Sequence, residues 1–264
     1  MPSHTLRTFG RLFAMAVALT TSLYAGITSA AEPPDTGPVS LVITYQATPA
    51  NRSALRHEME QSTAHELERL RRERRISQYN VLFNRYADSE NWDAMVLLTF
   101  ATPDDLYRWR EVERTHPAAL SEKAVALTTS IQTTVVDTKR MRALDTKLPH
   151  AVYVVIPYKT LVSPDEYEKY ADGYVIPQFQ GWMEEGVLRG YSLYTSRFPA
   201  GRPWNAMVVL QYKDETALSA REAVVTKVRE RLKSNAEWKA ISDSKKSVRT
   251  EQQVVVADRI GTHQ

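Results

Sequence analysis

The chain has 264 residues, of which 43% are hydrophobic and 25% charged. That balance excludes a disordered chain, a collagen and a disulfide scaffold, and the length fits one large domain or two small ones. Formal charge is +3 from 34 basic and 31 acidic residues, and two of the basic residues, Arg7 and Arg11, fall in an acid-free stretch over 1–31. The remainder is nearly neutral and lacks the broad positive field of a nucleic-acid binder. The lack of cysteine removes disulfides, thiolate metal sites, a cysteine nucleophile and a lipidated cysteine.

Arg7 and Arg11 precede an apolar run over 12–19, and Thr28-Ser29-Ala30-Ala31 follows it. This basic, apolar, small-residue order is that of a secretory signal peptide cleaved after Ala30 or Ala31. The apolar run is shorter than the ~20 residues of a membrane-spanning helix. The expectation is a signal over 1–31, a spacer over 32–38, a periplasmic location and no stable membrane insertion of the mature chain.

The segment 39–46 predicts a strand. A helix is predicted over 49–75, with Leu55, Met59, Thr63, Leu67 and Leu70 as its inward stripe. Two strands follow within 76–100, joined by a polar loop over 87–91. A helix over 103–114, a further helical stretch and a β-rich run over 131–137 complete the unit. The order then starts again with a strand over 151–158. Its helix opens at Ser163-Pro164-Asp165-Glu166, an N-cap, a proline in the first turn and then acids. Pro177 is expected to kink or break that helix. A hairpin with a loop over 199–203, a helix over 215–232, more helix and a β-rich run over 253–258 close the chain.

The two halves are copies. Residues 76–100 align with 188–212 at a constant offset of 112, matching Tyr79 with Tyr191, Arg85 with Arg197, Trp92 with Trp204 and Ala94-Met95-Val96 with Ala206-Met207-Val208. Upstream, Val42-Ile43-Thr44-Tyr45 aligns with Val155-Ile156-Pro157-Tyr158 at offset 113. Each unit reads β-α-β-β-α-β, the ferredoxin-like arrangement, whose sheet carries helices on one face only. Two units in one chain can cover each other's bare face. The predicted fold class is therefore α+β, with repeats over 39–142 and 151–260 and a connection over 143–150. The two sheets would pack face to face as one intrachain α/β barrel.

On this topology and duplication the chain resembles the dimeric α/β-barrel superfamily. That group contains small monooxygenases, muconolactone-isomerase-like proteins, stress-responsive barrels and haem-binding chlorite-dismutase-like and dye-decolourising-peroxidase-like branches. The resemblance implies the barrel and, with little force, a small-molecule site. The haem branches use an axial histidine, and nothing in this sequence places one in the second repeat's barrel. No cofactor is expected.

Strand alternation sorts the faces. Ala94, Val96, Leu98 and Phe100, with Ala206, Val208, Leu210 and Tyr212, should meet the helices. The opposite face puts Asn80, Asn84, Tyr153, Ser192, Tyr194 and Asn205 in the lumen as ligand-binding candidates, beside Met95 and Met207. A packed core with hydrogen-bonded polar groups is the plainer alternative. Asp93 is the one carboxylate on that face. Desolvation would suit it as a catalytic base, whereas a strand-end cap near the rim is the simpler role.

Arg85 and Arg197 either grip an anion or pair with structural carboxylates, and the latter is favoured. Trp92 and Trp204 read first as core and second as ligand-stacking residues. His57 and His65 flank Gln61 and do not form HExxH, and eight helical residues rise about 12 Å, too far to share one metal. No metal site is expected. The run over 66–75 alternates arginine with glutamate and reads as a solvated helix face.

The leading reading is an exported protein that binds a small, partly apolar molecule in or at the mouth of the barrel. Cofactor-free monooxygenase- or isomerase-like chemistry is open to it. The alternative is a non-catalytic cell-envelope interaction module. Self-association is compatible with both.

Overall fold

The computed structural model describes residues 38–142, 144 and 148–261. The signal segment 1–31, nearly all of the 32–38 spacer and part of the 143–150 connection lie outside the described residues.

The first half runs β1 (Val39–Ala47), α1 (Arg52–Glu58), a π-helical turn (Met59–Thr63), α2 (Ala64–Arg72), β2 (Gln78–Asn84), β3 (Ala94–Thr99), α3 (Pro103–Thr115), a 3-10 turn (Pro117–Ala119), α4 (Glu122–Leu127) and β4 (Thr128–Arg142). The second half runs β5 (Val152–Thr160), α5 (Pro164–Tyr170), a second π-helical turn (Ala171–Val175), α6 (Ile176–Glu184), β6 (Leu188–Ser196), β7 (Ala206–Tyr212), α7 (Glu215–Ser219), α8 (Arg221–Leu232), α9 (Ala236–Val248), β8 (Arg249–Glu251) and β9 (Val255–Arg259).

The strands pair in the order β7-β6-β4-β1-β3-β2-β9-β5, and β5 pairs with β7 to close an antiparallel barrel. β8 and β9 lie in line along the same edge of β5 and together match the long β4 of the first half. The duplication holds at the level of register. Leu82 faces Met95 as Tyr194 faces Met207, and Tyr79 faces Leu98 as Tyr191 faces Leu210. The two repeats join at both seams, where β4 of the first pairs with β6 of the second and β2 of the first with β9 of the second, so neither sheet keeps a free edge there.

The predicted faces are the observed ones. Ala94, Val96, Leu98 and Phe100 pack on the first set of helices, and Ala206, Val208, Leu210 and Tyr212 on the second. A third apolar cluster fills the barrel between the two sheets, built on Val42, Leu82, Met95, Tyr153, Val155 and Val209.

Helix signals also hold locally. Ser163 caps α5 in a reciprocal box with Glu166, with Pro164 in the first turn, and Thr102 does the same with Asp105 for α3. Pro177 does not break its helix. It sits in the first turn of α6 directly after the π-helical turn, whose widened backbone absorbs the missing N–H and the ring's clash with the preceding turn. The first helix carries a π-helical turn at the same offset without any proline, so the turn belongs to the repeat. The expected single helix over 215–232 is instead α7 and α8, divided at Ala220.

Candidate functional site

The barrel interior has three levels. At one end, where both β-hairpin loops lie, a pocket of about 350 Å³ opens between the halves. Its walls include four pairs of repeat-related residues: Asn91 with Pro203, Trp92 with Trp204, Thr44 with Pro157, and Gln132 with Gln253. The pocket therefore sits on the internal twofold axis, and neither half forms it alone. Trp204 is buried and Trp92 half-buried, and both pack on the barrel core beneath.

Both halves supply apolar and polar groups. The second half gives Pro157, Pro203, Trp204 and Met207, together with the carboxamides of Gln252 and Gln253. The first half gives the rings of Tyr45 and Trp92 with the hydroxyls and carboxamides of Thr44, Gln46, Asn91, Ser130 and Gln132, and Glu90 is the one carboxylate in the lining. Gln46 steadies this wall by donating its side-chain amide to the Ser89 and Asn91 carbonyls, at 2.5 and 3.2 Å. From the other half Gln253 donates to Asp88 at 2.8 Å, so the first hairpin loop is held from both sides.

The middle level is closed. Tyr153 is fully buried there, and its hydroxyl accepts a 2.9 Å hydrogen bond from Gln211 on the facing strand. The far end holds a crevice of about 10 Å³ that brings together Asn80, Ser192 and Tyr194. That is room for about one water. The Asn80 carboxamide oxygen is buried there without a protein partner. Burial pushes the Tyr194 phenol up, offset in part by the Ser192 hydroxyl beside it.

The other sequence-predicted residues belong to the frame. Asp93 sits at the rim, where its carboxylate accepts from the Ala47 backbone N–H and from Arg52 Nε, both at 2.8 Å. Asn205, its repeat partner, accepts from the Thr160 N–H at 2.6 Å and donates to the Thr160 hydroxyl at 2.8 Å. Asn84 donates to the Trp92 carbonyl at 3.2 Å and accepts from the Tyr86 N–H at 3.1 Å, closing the hairpin turn. None of the named ligand-binding candidates lines the mouth pocket, whereas Met207, read as lumen-lining beside them, does. The pocket's carboxamides escaped the sequence reading, because Gln46, Asn91, Gln252 and Gln253 lie at a strand end or outside strands and alternation was not applied to the last strand of the repeat, which carries Gln132. The repeated tryptophans were the available signal.

Arg85 and Arg197 are structural, and both act between the repeats. Arg85 binds Asp258 at 2.9 Å and Glu215 at 2.6 Å, and Arg197 binds Asp137 at 2.7 Å. No described histidine lines the mouth pocket or the far crevice, and none belongs to the second half's helix–sheet core. The donor set therefore does not fit haem ligated by a histidine within the second repeat. Among the described residues no cluster of three or more potential ligands could hold a metal ion.

No protein-family model matches this chain, and no curated protein matches it. Solved structures do. A provisionally assigned monooxygenase from Lactobacillus acidophilus NCFM aligns over 84% of this chain and 94% of its own, at 14% identity and a TM-score of 0.53. A second provisional monooxygenase, from Fusobacterium nucleatum subsp. nucleatum, aligns over 85% and 93%, at 12% identity and a TM-score of 0.51. An anthrone oxidase-like protein aligns over 87% and 92%, at 13% identity and a TM-score of 0.51. At such identities the likeness is one of fold. The chain has the dimeric α/β-barrel fold, with both ferredoxin-like halves in a single polypeptide.

Proposed function

We propose that the protein binds a small, neutral, partly apolar molecule in the pocket at the barrel mouth. The observation that carries this reading is one pocket, built by both repeats, that joins an apolar surface of Pro157, Pro203, Trp204 and Met207 to a set of hydroxyls and carboxamides. A flat ligand would lay one face on Trp204, Pro203 and Met207 and turn hydrogen-bonding groups toward Gln46, Ser130 and Gln132. The volume suits a ligand of one or two rings. Ionic substrates fit less well, because Glu90 is the one charged side chain in the lining.

Cofactor-free monooxygenase- or isomerase-like chemistry is the finer form of this reading, supported by the neighbours' provisional assignments. Asp93 is already bonded to Arg52, so a base in such a reaction would more naturally be Glu90 or the substrate itself. The pattern of residues 1–31 supports placing this activity in the periplasm.

Native mass spectrometry of protein purified from its own cells tests the binding. The expected result is an added small-molecule mass in the wild type that disappears when Gln132→Trp fills the pocket. Equal masses in the two proteins would count against it.

One observation favours a second reading, an interaction module. Tyr86 and Phe198 are repeat partners beside the two hairpin loops, and each is 69% exposed. A protein partner covering both would protect them from oxidative labelling, whereas a small ligand in the mouth would not.

A further inference from the structure

Arg249 opens β8, where it pairs with Thr160 of β5. Its guanidinium carbon lies 3.7 Å from the ring centroid of Tyr158 and 5.3 Å from that of Tyr170. Tyr167 and Tyr170 project from α5 with ring centroids 6.0 Å apart. All three tyrosines are buried. Among the described residues, no carboxylate lies within ion-pair distance of Arg249, and the groups that act on it most are these three phenols.

Three polar atoms in this cluster are sealed from solvent without a hydrogen-bond partner: Arg249 Nη1 and the hydroxyls of Tyr167 and Tyr170. Other such side chains, Thr63, Asn80, Trp182 and Ser196, lie on separate elements. An isolated orphan is tolerable, but three together call for a shared partner. Guanidinium nitrogens only donate, and the Arg249 guanidinium acts on both phenols as a hydrogen-bond donor, so the phenol oxygens can serve it as acceptors at most. Burial raises both phenols, so they keep their protons despite the nearby cation, and their two O–H groups still lack an acceptor. The missing partner is therefore an acceptor.

Charge narrows it further. A guanidinium stays protonated, and stacking on Tyr158 offsets only part of its desolvation. A water would satisfy the donors but leave the charge uncompensated, whereas an anion does both. The first half has no such need. There Tyr45, the counterpart of Tyr158, donates to the Ala118 carbonyl at 2.6 Å, and Leu55, Glu58 and Thr128 stand where the second half has Tyr167, Tyr170 and Arg249.

We propose that Arg249, Tyr167 and Tyr170 form a buried site for one small halide-class anion, which ties β8 to α5. The site is separate from the mouth pocket and shares no residue with it.

Crystals grown in sodium bromide, measured at the bromine absorption edge, test the position. Thermal melts in chloride against gluconate at equal ionic strength test the energetics. The expected results are an anomalous peak between Arg249 Nη1 and the two phenols, and a melting temperature that rises with halide concentration. In Tyr167→Phe/Tyr170→Phe the halide concentration for half the effect should rise about tenfold or more. Arg249→Met should abolish the effect. Should that variant fail to fold, the phenylalanine pair, which keeps the rings, carries the test alone. No bromide peak, together with melting indifferent to the anion, would overturn the proposal. So would phenylalanine variants more stable than the wild type in every salt.

Discussion

Arg85 reaches from the end of β2 to Asp258 on β9, and Arg197 makes the same reach from β6 to Asp137 on β4. The backbone repeats the pattern, since Arg85 N–H donates to the Val256 carbonyl and Arg197 N–H to the Val135 carbonyl, each at 3.0 Å. Every one of these bonds crosses from one repeat to the other. The repeated arginine is therefore a seam residue, and its recurrence reflects two equivalent seams in one closed barrel.

A double-mutant cycle on Arg85→Ala and Asp258→Ala should show a coupling of about 0.5–1 kcal/mol in denaturant unfolding. Arg197 and Asp137 should couple somewhat less, because Arg197 is more exposed and lacks a second acid like Glu215. Arg85 paired with Asp137 should show no coupling, and a clear coupling there would mean the seams are wrongly assigned.

Asp93 and Asn205 test whether a carboxylate at the rim is frame or chemistry. Each accepts the N–H of the last residue of the neighbouring strand, Ala47 of β1 or Thr160 of β5. Asp93→Asn should keep the Ala47 bond, lose the charge on Arg52 and cost about 1 kcal/mol of stability. Asp93→Ala leaves both donors unmet and should cost about 2 kcal/mol or more. Small-molecule occupancy of the mouth should survive in both variants once they are folded. Loss of occupancy in folded Asp93→Asn would return Asp93 to the site.

The closed middle of the barrel should be energetically important and functionally silent. Tyr153→Phe removes the acceptor for Gln211 in a fully buried setting and should cost about 1–3 kcal/mol. Binding at the mouth should be unchanged when measured well below the melting transition.

Arg140 joins the repeats at a third place. It leaves β4 and meets Asp172 through two nitrogens, at 2.7 and 2.6 Å, and Glu168 at 2.9 Å. Its side chain is buried, but Asp172 is partly exposed and Glu168 keeps Lys139 as a partner. Arg140→Met should therefore cost about 2 kcal/mol, less than the ~3–5 kcal/mol of breaking a fully buried pair.

Acid sensitivity has a local source in α2. Arg71, and then Arg72, hold the Glu68 carboxyl at about 2 against an ordinary 4.5. A carboxyl lowered on folding contributes stability that is fully present above its unfolded value and is lost as pH falls through the folded one. Glu68→Gln should flatten part of the stability decline between about pH 4.5 and pH 2 and change nothing near neutrality. An unchanged acid limb in this variant would mean the pair contributes nothing.

Much of the fold was legible because it rests on short-period signals. Period-two alternation sorted Ala94 and Val96 from Met95 and Leu97, and the constant offset exposed the duplication. The seam partners were hidden because Asp137 and Asp258 stand 121 residues apart rather than 112, after helical segments of different length. The π-helical turns left no trace, since both interrupt a helix whose apolar stripe continues through them. The pocket was the least legible feature. Alternation says which way a strand residue points, but Asn80 and Thr44 lie at opposite ends of the same barrel, and only the end near Thr44 is roomy.

The most direct test is a crystallographic screen of neutral one- and two-ring fragments against the folded chain. The expected result is a cluster of bound fragments at the mouth, with rings against Trp204 and Met207 and polar atoms toward Gln46, Ser130 or Gln132. Fragments bound elsewhere while the mouth holds only water would contradict the proposed function.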